Sequence, residues 1–155
     1  MVDSTFHPMY LVYLLLAILA GAGLPVQLGM NNQLRIMTGS PMSAAFISFL
    51  VGTLTLGVYV LLLRQPLPSP MQITNAPWWV WLGGAVGVVY IVVAIVVAPK
   101  IGPAVLFSLV VAGQMLNSLL IDQFGLFGFE VHHISPLRVL GVALLVGGVV
   151  LIRAF

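Results

Sequence analysis

The sequence predicts an all-α, polytopic membrane protein with five transmembrane helices, and three observations lead to this fold class. Hydrophobic residues make up 61% of the chain and charged residues only 5%, against about 25% charged in a typical soluble domain. Five long apolar segments follow one another with almost no charge between them. These segments are continuously apolar and do not alternate with polar residues, which favours helices over barrel strands.

Each segment is long enough to cross a bilayer, because a helix needs about 20 apolar residues to span a hydrocarbon core of about 30 Å. We expect one membrane domain over residues 1–155, with helix boundaries good to about two to four residues. The predicted spans are residues 9–30, 42–63, 78–98, 104–121 and 137–155. Residues 1–8 contain no lysine or arginine, unlike the start of a cleaved signal peptide, so we expect the first span to be retained.

Proline and glycine mark the predicted connections between the spans. Residues 39–41 close the first connection, and four prolines between residues 66 and 77 predict an extended second loop. Residues 99–103 predict a very short turn, so spans three and four should form an antiparallel hairpin. Residues 124–129 are aromatic and glycine-rich, and they form either a segment at the lipid interface or an extension of the fourth helix.

Positive charge is divided almost evenly between the two sides of the membrane. The side that carries the N-terminus holds Arg64 and Arg138, whereas the other side holds Arg35, Lys100 and Arg153. A weak bias places the N-terminus outside, but the positive-inside rule needs a clear excess to fix orientation. The sequence therefore leaves two alternatives open, a single orientation decided by packing or a dual topology in which opposite copies form an antiparallel dimer.

Two predicted helices carry polar side chains on one face, at the four-residue steps that bring residues together on a helix. The first span has Gln27 and Asn31, and the fourth has Gln114, Ser118 and Asp122, with Asn117 beside them. An unpaired amide in hydrocarbon costs several kcal/mol, so these groups must face one another or water. Pro25 precedes the first pair and predicts a kink.

These polar faces allow two interpretations. They either line a central cavity that binds a polar or weakly cationic solute, or they hold the bundle together by interhelical hydrogen bonds. Asp122 is either a residue that exchanges a proton or attracts a cation, or an interfacial residue at the mouth of the fourth span. Trp78 and Tyr90 are candidate walls of the cavity, although an aromatic anchor at the interface is the default role for Trp78 and packing is the commoner role for a residue such as Tyr90.

Several function classes find no support in the sequence. There is no cysteine, and Glu130, His132 and His133 lack the spacing of a metal site. We find no catalytic triad and no phosphate-binding loop, so we expect neither an enzyme nor a protein that needs a cofactor. The net charge of +2 rests on few residues and forms no basic patch for a nucleic acid.

The motifs along the chain resemble one family, the five-span bacterial inner-membrane proteins of the drug/metabolite transporter superfamily. The Gly113-Gln114 and Ile121-Asp122-Gln123-Phe124-Gly125 elements are the most specific, and the resemblance covers essentially the whole chain. The further elements are Pro25-Val26-Gln27-Leu28-Gly29-Met30-Asn31-Asn32, Gly39-Ser40-Pro41, Pro77-Trp78-Trp79, Gly83-Gly84 and Gly87.

The resemblance implies a half-size transporter, found in the family as a dual-topology protein, as paired chains of opposite orientation, or as a fused ten-span chain. The superfamily exports metabolites and drugs, commonly by proton coupling or exchange. Its smallest members use a glutamate in the first span, and this chain has none there. The resemblance therefore implies no particular substrate and leaves the coupling mechanism open.

The expected protein is thus a multi-pass inner-membrane transporter that works by alternating access as an antiparallel dimer. We expect Gln27, Asn31, Gln114 and Asn117 to contact the solute. Its partners would be a small-molecule substrate, the lipid bilayer, and a second copy or a homologue in the opposite orientation. A passive channel and a non-transporting membrane scaffold or subunit are the two alternatives.

Overall fold

The computed structural model describes residues 8–154, and the helices in this range cover most of the chain. Six α-helices and two short 3-10 helices occur here, without any strand. In chain order they are α1 (Pro8–Thr38), α2 (Pro41–Leu62), α3 (Pro70–Asn75), a 3-10 helix (Trp78–Leu82), α4 (Gly83–Ile101), α5 (Pro103–Phe124), a 3-10 helix (Leu126–Gly128) and α6 (Pro136–Ala154).

The predicted fold class is confirmed, since five helices in the described range are long and apolar enough to cross a membrane. Their boundaries lie within a few residues of the predicted ones except at the end of the first span. The five segments are Leu11–Thr38, Pro41–Leu62, Trp78–Ile101, Pro103–Phe124 and Pro136–Ala154.

The first helix runs past Pro25 and continues beyond the predicted end of the span at residue 30. Its last turns contain polar residues, and the Arg35 Nε donates a hydrogen bond to the Asn32 Oδ1 at 3.2 Å. The helix stops at Gly39, which adopts a φ of +70° and donates its N–H to the carbonyl of Arg35 at 2.9 Å. A polar sequence ends a membrane span but does not by itself end a helix, so α1 continues past the predicted end of the span.

The second connection contains a helix, α3, that the sequence analysis treated as extended loop. Ser69 caps this helix, because its Oγ accepts the N–H of Gln72 at 3.3 Å and the Gln72 Oε1 accepts the N–H of Ser69 at 2.8 Å. This reciprocal capping box satisfies two backbone donors of the first turn. Pro70 occupies the first helical position, where proline is favoured because no backbone donor is needed.

The predicted turn at residues 99–103 is shorter than expected, because Pro99, Lys100 and Ile101 belong to α4. Gly102 alone separates α4 from α5, at a φ of +82° that favours glycine. At the other end of α5 the helix stops at Phe124. Only Phe124 of the segment 124–129 belongs to α5, and residues 125–129 do not extend that helix, which removes one of the two interpretations of this segment.

The chain divides into two units, one ending at Val96 and the other beginning at Val97. The prediction of a single domain is not tested by this division. In the first unit α1 packs against α2. A buried cluster of Ala44, Ala45 and Ile95 forms its core, with Leu34 among the residues packed against it. Alanine at the contact lets helix backbones approach closely, which is how helices associate in lipid.

In the second unit α5 packs against α6. The pair is antiparallel, because Asp122 near the end of α5 contacts Arg138 in the first turn of α6. At the opposite ends of the two helices, Ala104 and Ile152 line one groove. The residues between the helices, 125–135, are called the α5–α6 loop below.

Candidate functional site

The two amides predicted on α1 lie in different environments. Asn31 is 4% exposed and lies on the same side of α1 as the buried Leu28, one turn away. Gln27 is exposed, and neither amide makes a side-chain hydrogen bond to another described residue. The neighbouring Asn32 bonds to Arg35. The structure thus places Asn31 in the packed face of α1 and leaves Gln27 outside it.

The polar residues predicted on α5 follow one side of that helix from its middle to its end. Gln114 and Asn117 are exposed, and within residues 8–154 their side chains form no hydrogen bond. Ser118 and Asp122, further along the helix, are partly buried and line a groove between α5 and α6. The side-chain amides of Gln114 and Asn117 therefore find no hydrogen-bond partner among the residues that the structure describes.

The two aromatic candidates belong to the segment before α4 and to α4 itself. Trp78 begins the 3-10 helix and is 74% exposed. Tyr90 lies in α4 and is half-buried. Trp78, Tyr90, Gln27 and Asn31 belong to the first unit, whereas the α5 residues belong to the second. Their assignment to one solute site stays a prediction.

Asp122 has a partner that the sequence analysis did not identify. Arg138 donates through Nη2 to the Asp122 Oδ2 and through Nη1 to the carbonyl of His132, at 2.8 Å. The Asp122 side chain is 29% exposed and the Arg138 side chain 35% exposed. The signal was available, since an acid near the end of one span and an arginine at the start of the next meet when the helices are antiparallel.

Further hydrogen bonds fix the α5–α6 loop to the end of α5. The carbonyl of Asp122 accepts the N–H of His132 at 2.9 Å, and the Gln123 Oε1 accepts the N–H of Ile134 at 2.6 Å. The Gln123 Nε2 lies 3.4 Å from the His133 Nδ1. Gln123 thus caps the loop backbone, a role that the spacing of the motif did not reveal.

Two depressions meet at the ion pair. One has a volume of about 420 Å³ and runs along α5 and α6, lined by Met115, Ser118, Leu119, Asp122, Arg138, Gly141, Val142 and Leu145. The other has a volume of about 380 Å³ and lies under the loop, lined by Asp122, Phe129, Glu130, His132 and Arg138. Asp122 and Arg138 line both depressions. A charged end and an apolar groove are therefore continuous along this helix pair.

Five helices that are long and apolar enough to cross a membrane define a polytopic helical membrane protein. The chain belongs to the family described as "Putative inner membrane exporter, YdcZ", whose model matches residues 12–151. This membership confirms the resemblance expected from the motifs and places the protein in the inner membrane. The chain matches no curated protein and no solved structure.

Proposed function

We propose that this chain is a half-transporter that moves a small solute across the inner membrane by alternating access, as an antiparallel dimer. Membership of an exporter family supports transport as the general function. The observation that carries the finer proposal is the exposed, unpaired state of Gln114 and Asn117 on a membrane-spanning helix.

The argument rests on the cost of an unsatisfied amide in lipid. An amide that loses its hydrogen bonds in hydrocarbon costs several kcal/mol, so Gln114 and Asn117 must face water, a solute or another chain. A cavity closed by a second copy provides all three. Amides both donate and accept hydrogen bonds, which suits a polar or weakly cationic solute. Gln27, Asn31, Trp78 and Tyr90 are the proposed contacts from the first unit.

The charge count supports the antiparallel arrangement. Two basic residues on one side and three on the other give no firm orientation, so copies of both orientations can meet and pair. Two such copies are related by an axis in the membrane plane, as are the inverted repeats of many transporters. In a homodimer the inward-open and outward-open states are then equivalent, which makes alternating access possible without a second gene.

Replacing Gln114 by alanine should lower solute flux about tenfold, because one lost hydrogen bond to the solute is worth about 1 to 1.5 kcal/mol. We would measure efflux of labelled amino acids, nucleosides and quaternary amines from proteoliposomes. Gln65→Ala is the matched control, since Gln65 lies outside the helices. Saturation and counter-exchange in the wild type separate a transporter from a channel. Unchanged flux in Gln114→Ala would mean that Gln114 does not contact the solute. If the wild type itself shows no flux, the scaffold alternative is favoured.

If both orientations exist, a single cysteine introduced on either face should react with an impermeant thiol reagent in only part of the copies. The chain has no cysteine of its own, so Leu67→Cys in the second connection and Ala154→Cys at the end of α6 report two opposite faces. Intact cells would be treated with an impermeant thiol reagent, and a permeant reagent gives the total. Full labelling of one site with complete protection of the other means one orientation, and the homomeric antiparallel dimer would then be rejected.

A further inference from the structure

The groove between α5 and α6 combines an apolar floor with a charged end. The part next to the ion pair is lined by Met115, Gly141 and Leu145, among others, and ends at Asp122 and Arg138. Beyond Leu145 a second stretch of about 500 Å³ continues along the same two helices past Ser108 and Gly148. From Asp122 to Ser108 the helix rises about 21 Å, which exceeds the depth of about 15 Å from the interface to the midplane.

This shape fits an amphiphile whose chain lies along the helices and whose head lies at the α5–α6 loop. Five residues surround the head region, namely Asp122, Phe129, Glu130, His132 and Arg138. Arg138 uses Nη1 and Nη2 for its bonds to His132 and Asp122. A guanidinium has five N–H donors, so donors remain for a phosphate. The carboxylate of Glu130 is exposed and makes no hydrogen bond to any described residue.

The charges select among phospholipids. One guanidinium and two carboxylates surround the head region, so a headgroup with only negative charge meets more repulsion than attraction. A zwitterionic headgroup satisfies both signs, its phosphate on Arg138 and its cation on Glu130. A primary ammonium carries N–H donors for a carboxylate, whereas a quaternary ammonium carries none. A second copy of the chain would have to bring both an anion and a cation to this end of the groove to satisfy the same groups.

We propose that the α5–α6 groove binds a phospholipid with a primary ammonium headgroup, with the acyl chain along Met115, Gly141 and Leu145. The phosphate contacts Arg138 and the ammonium contacts Glu130. Pockets between transmembrane helices are known places for lipid headgroups, and there a basic residue holds the phosphate. This site lies entirely in the second unit, and none of its lining residues is one of the proposed solute contacts.

Native mass spectrometry of the purified chain in detergent tests the headgroup. The protein would be titrated with phosphatidylethanolamine, phosphatidylcholine and phosphatidylglycerol of identical acyl chains. We expect phosphatidylethanolamine to bind about tenfold more tightly than either of the others, the size of one charge-assisted hydrogen bond. Glu130→Gln should reduce this preference to the level of phosphatidylcholine. Equal binding of all three lipids by the wild type would overturn the proposal.

A pair of glycine variants tests the groove. Gly141 lines it, whereas Gly147 lies on the same helix and lines none of the depressions described above. At both positions an added Cβ meets no atom within 4 Å. A thermal unfolding curve of each variant in detergent checks that both leucine side chains are accommodated. We expect Gly141→Leu to lose phosphatidylethanolamine binding and Gly147→Leu to keep it. Equal lipid binding by the two variants would overturn the proposal. So would a Gly141→Leu variant that loses its dimer but keeps lipid binding, because the groove would then be the contact with a second copy of the chain.

Discussion

Replacing Gly125 by alanine should lower the free energy of unfolding by about 2 to 3 kcal/mol, because two penalties act at one position. Gly125 ends α5 in the left-handed conformation, with φ 58° and ψ 35°, and its N–H bonds to the carbonyl of Ile121. An alanine Cβ would lie 2.8 Å from the Val131 Cγ2 and 3.1 Å from the carbonyl oxygen of Phe129. Because that oxygen is backbone, the α5–α6 loop must move for the side chain to fit.

Gly128→Ala separates the two penalties. Gly128 also has a positive φ, of +86°, but an added Cβ there meets no atom within 4 Å. Its replacement should cost about 1 kcal/mol, the conformational part alone. Unfolding of both variants would be followed by circular dichroism during titration with a denaturing detergent. If both variants lose the same free energy of unfolding, the α5–α6 loop moves aside for the Cβ at Gly125 without a measurable cost. The loop would then be held less firmly than its hydrogen bonds indicate.

The fold class could be predicted from the sequence because the membrane reduces the choice of structure. A long continuous apolar segment in lipid has to be a helix, and length alone then gives its span. The errors occurred where the chain leaves the hydrocarbon. The end of α1 at Thr38 depends on Gly39, and α3 depends on the Ser69–Gln72 capping box. Both signals were present, but they are local, whereas the prediction used the average polarity of a segment.

The site could be predicted only in part, because a helical period tells which residues share a face and not what that face meets. Gln27 and Asn31 share a face by spacing, yet one is exposed and the other buried. Asp122 was a candidate for coupling or for an interfacial role, and its bond to Arg138 depends on how α6 returns along α5. Gln123 carried no signal, since its bond to the N–H of Ile134 follows from the shape of the loop.

Asp122→Ala and Arg138→Ala should each destabilise the chain, and the double variant should lose less than the sum of the two. A fully exposed ion pair contributes about 0 to 1 kcal/mol, and breaking a buried one costs about 3 to 5 kcal/mol. This pair is about two-thirds buried, so we expect a coupling energy of about 1 to 2 kcal/mol. Arg138→Ala should cost more than Asp122→Ala, because it also removes the bond to the carbonyl of His132.

The cycle would use the same detergent titration, with Arg153→Ala as control, since Arg153 is exposed at the other end of α6 and should contribute almost nothing. A coupling energy near zero would mean that the two charges are screened where they meet. The loop would then be held by the bond from His132 to Asp122 and by Gln123, both of which survive in the double variant. A coupling energy above about 1 kcal/mol would instead mean that the ion pair holds α5 and α6 together at this end. A role for Asp122 in coupling would then require its bond to Arg138 to open, and with it the contact between α5 and α6 at this end.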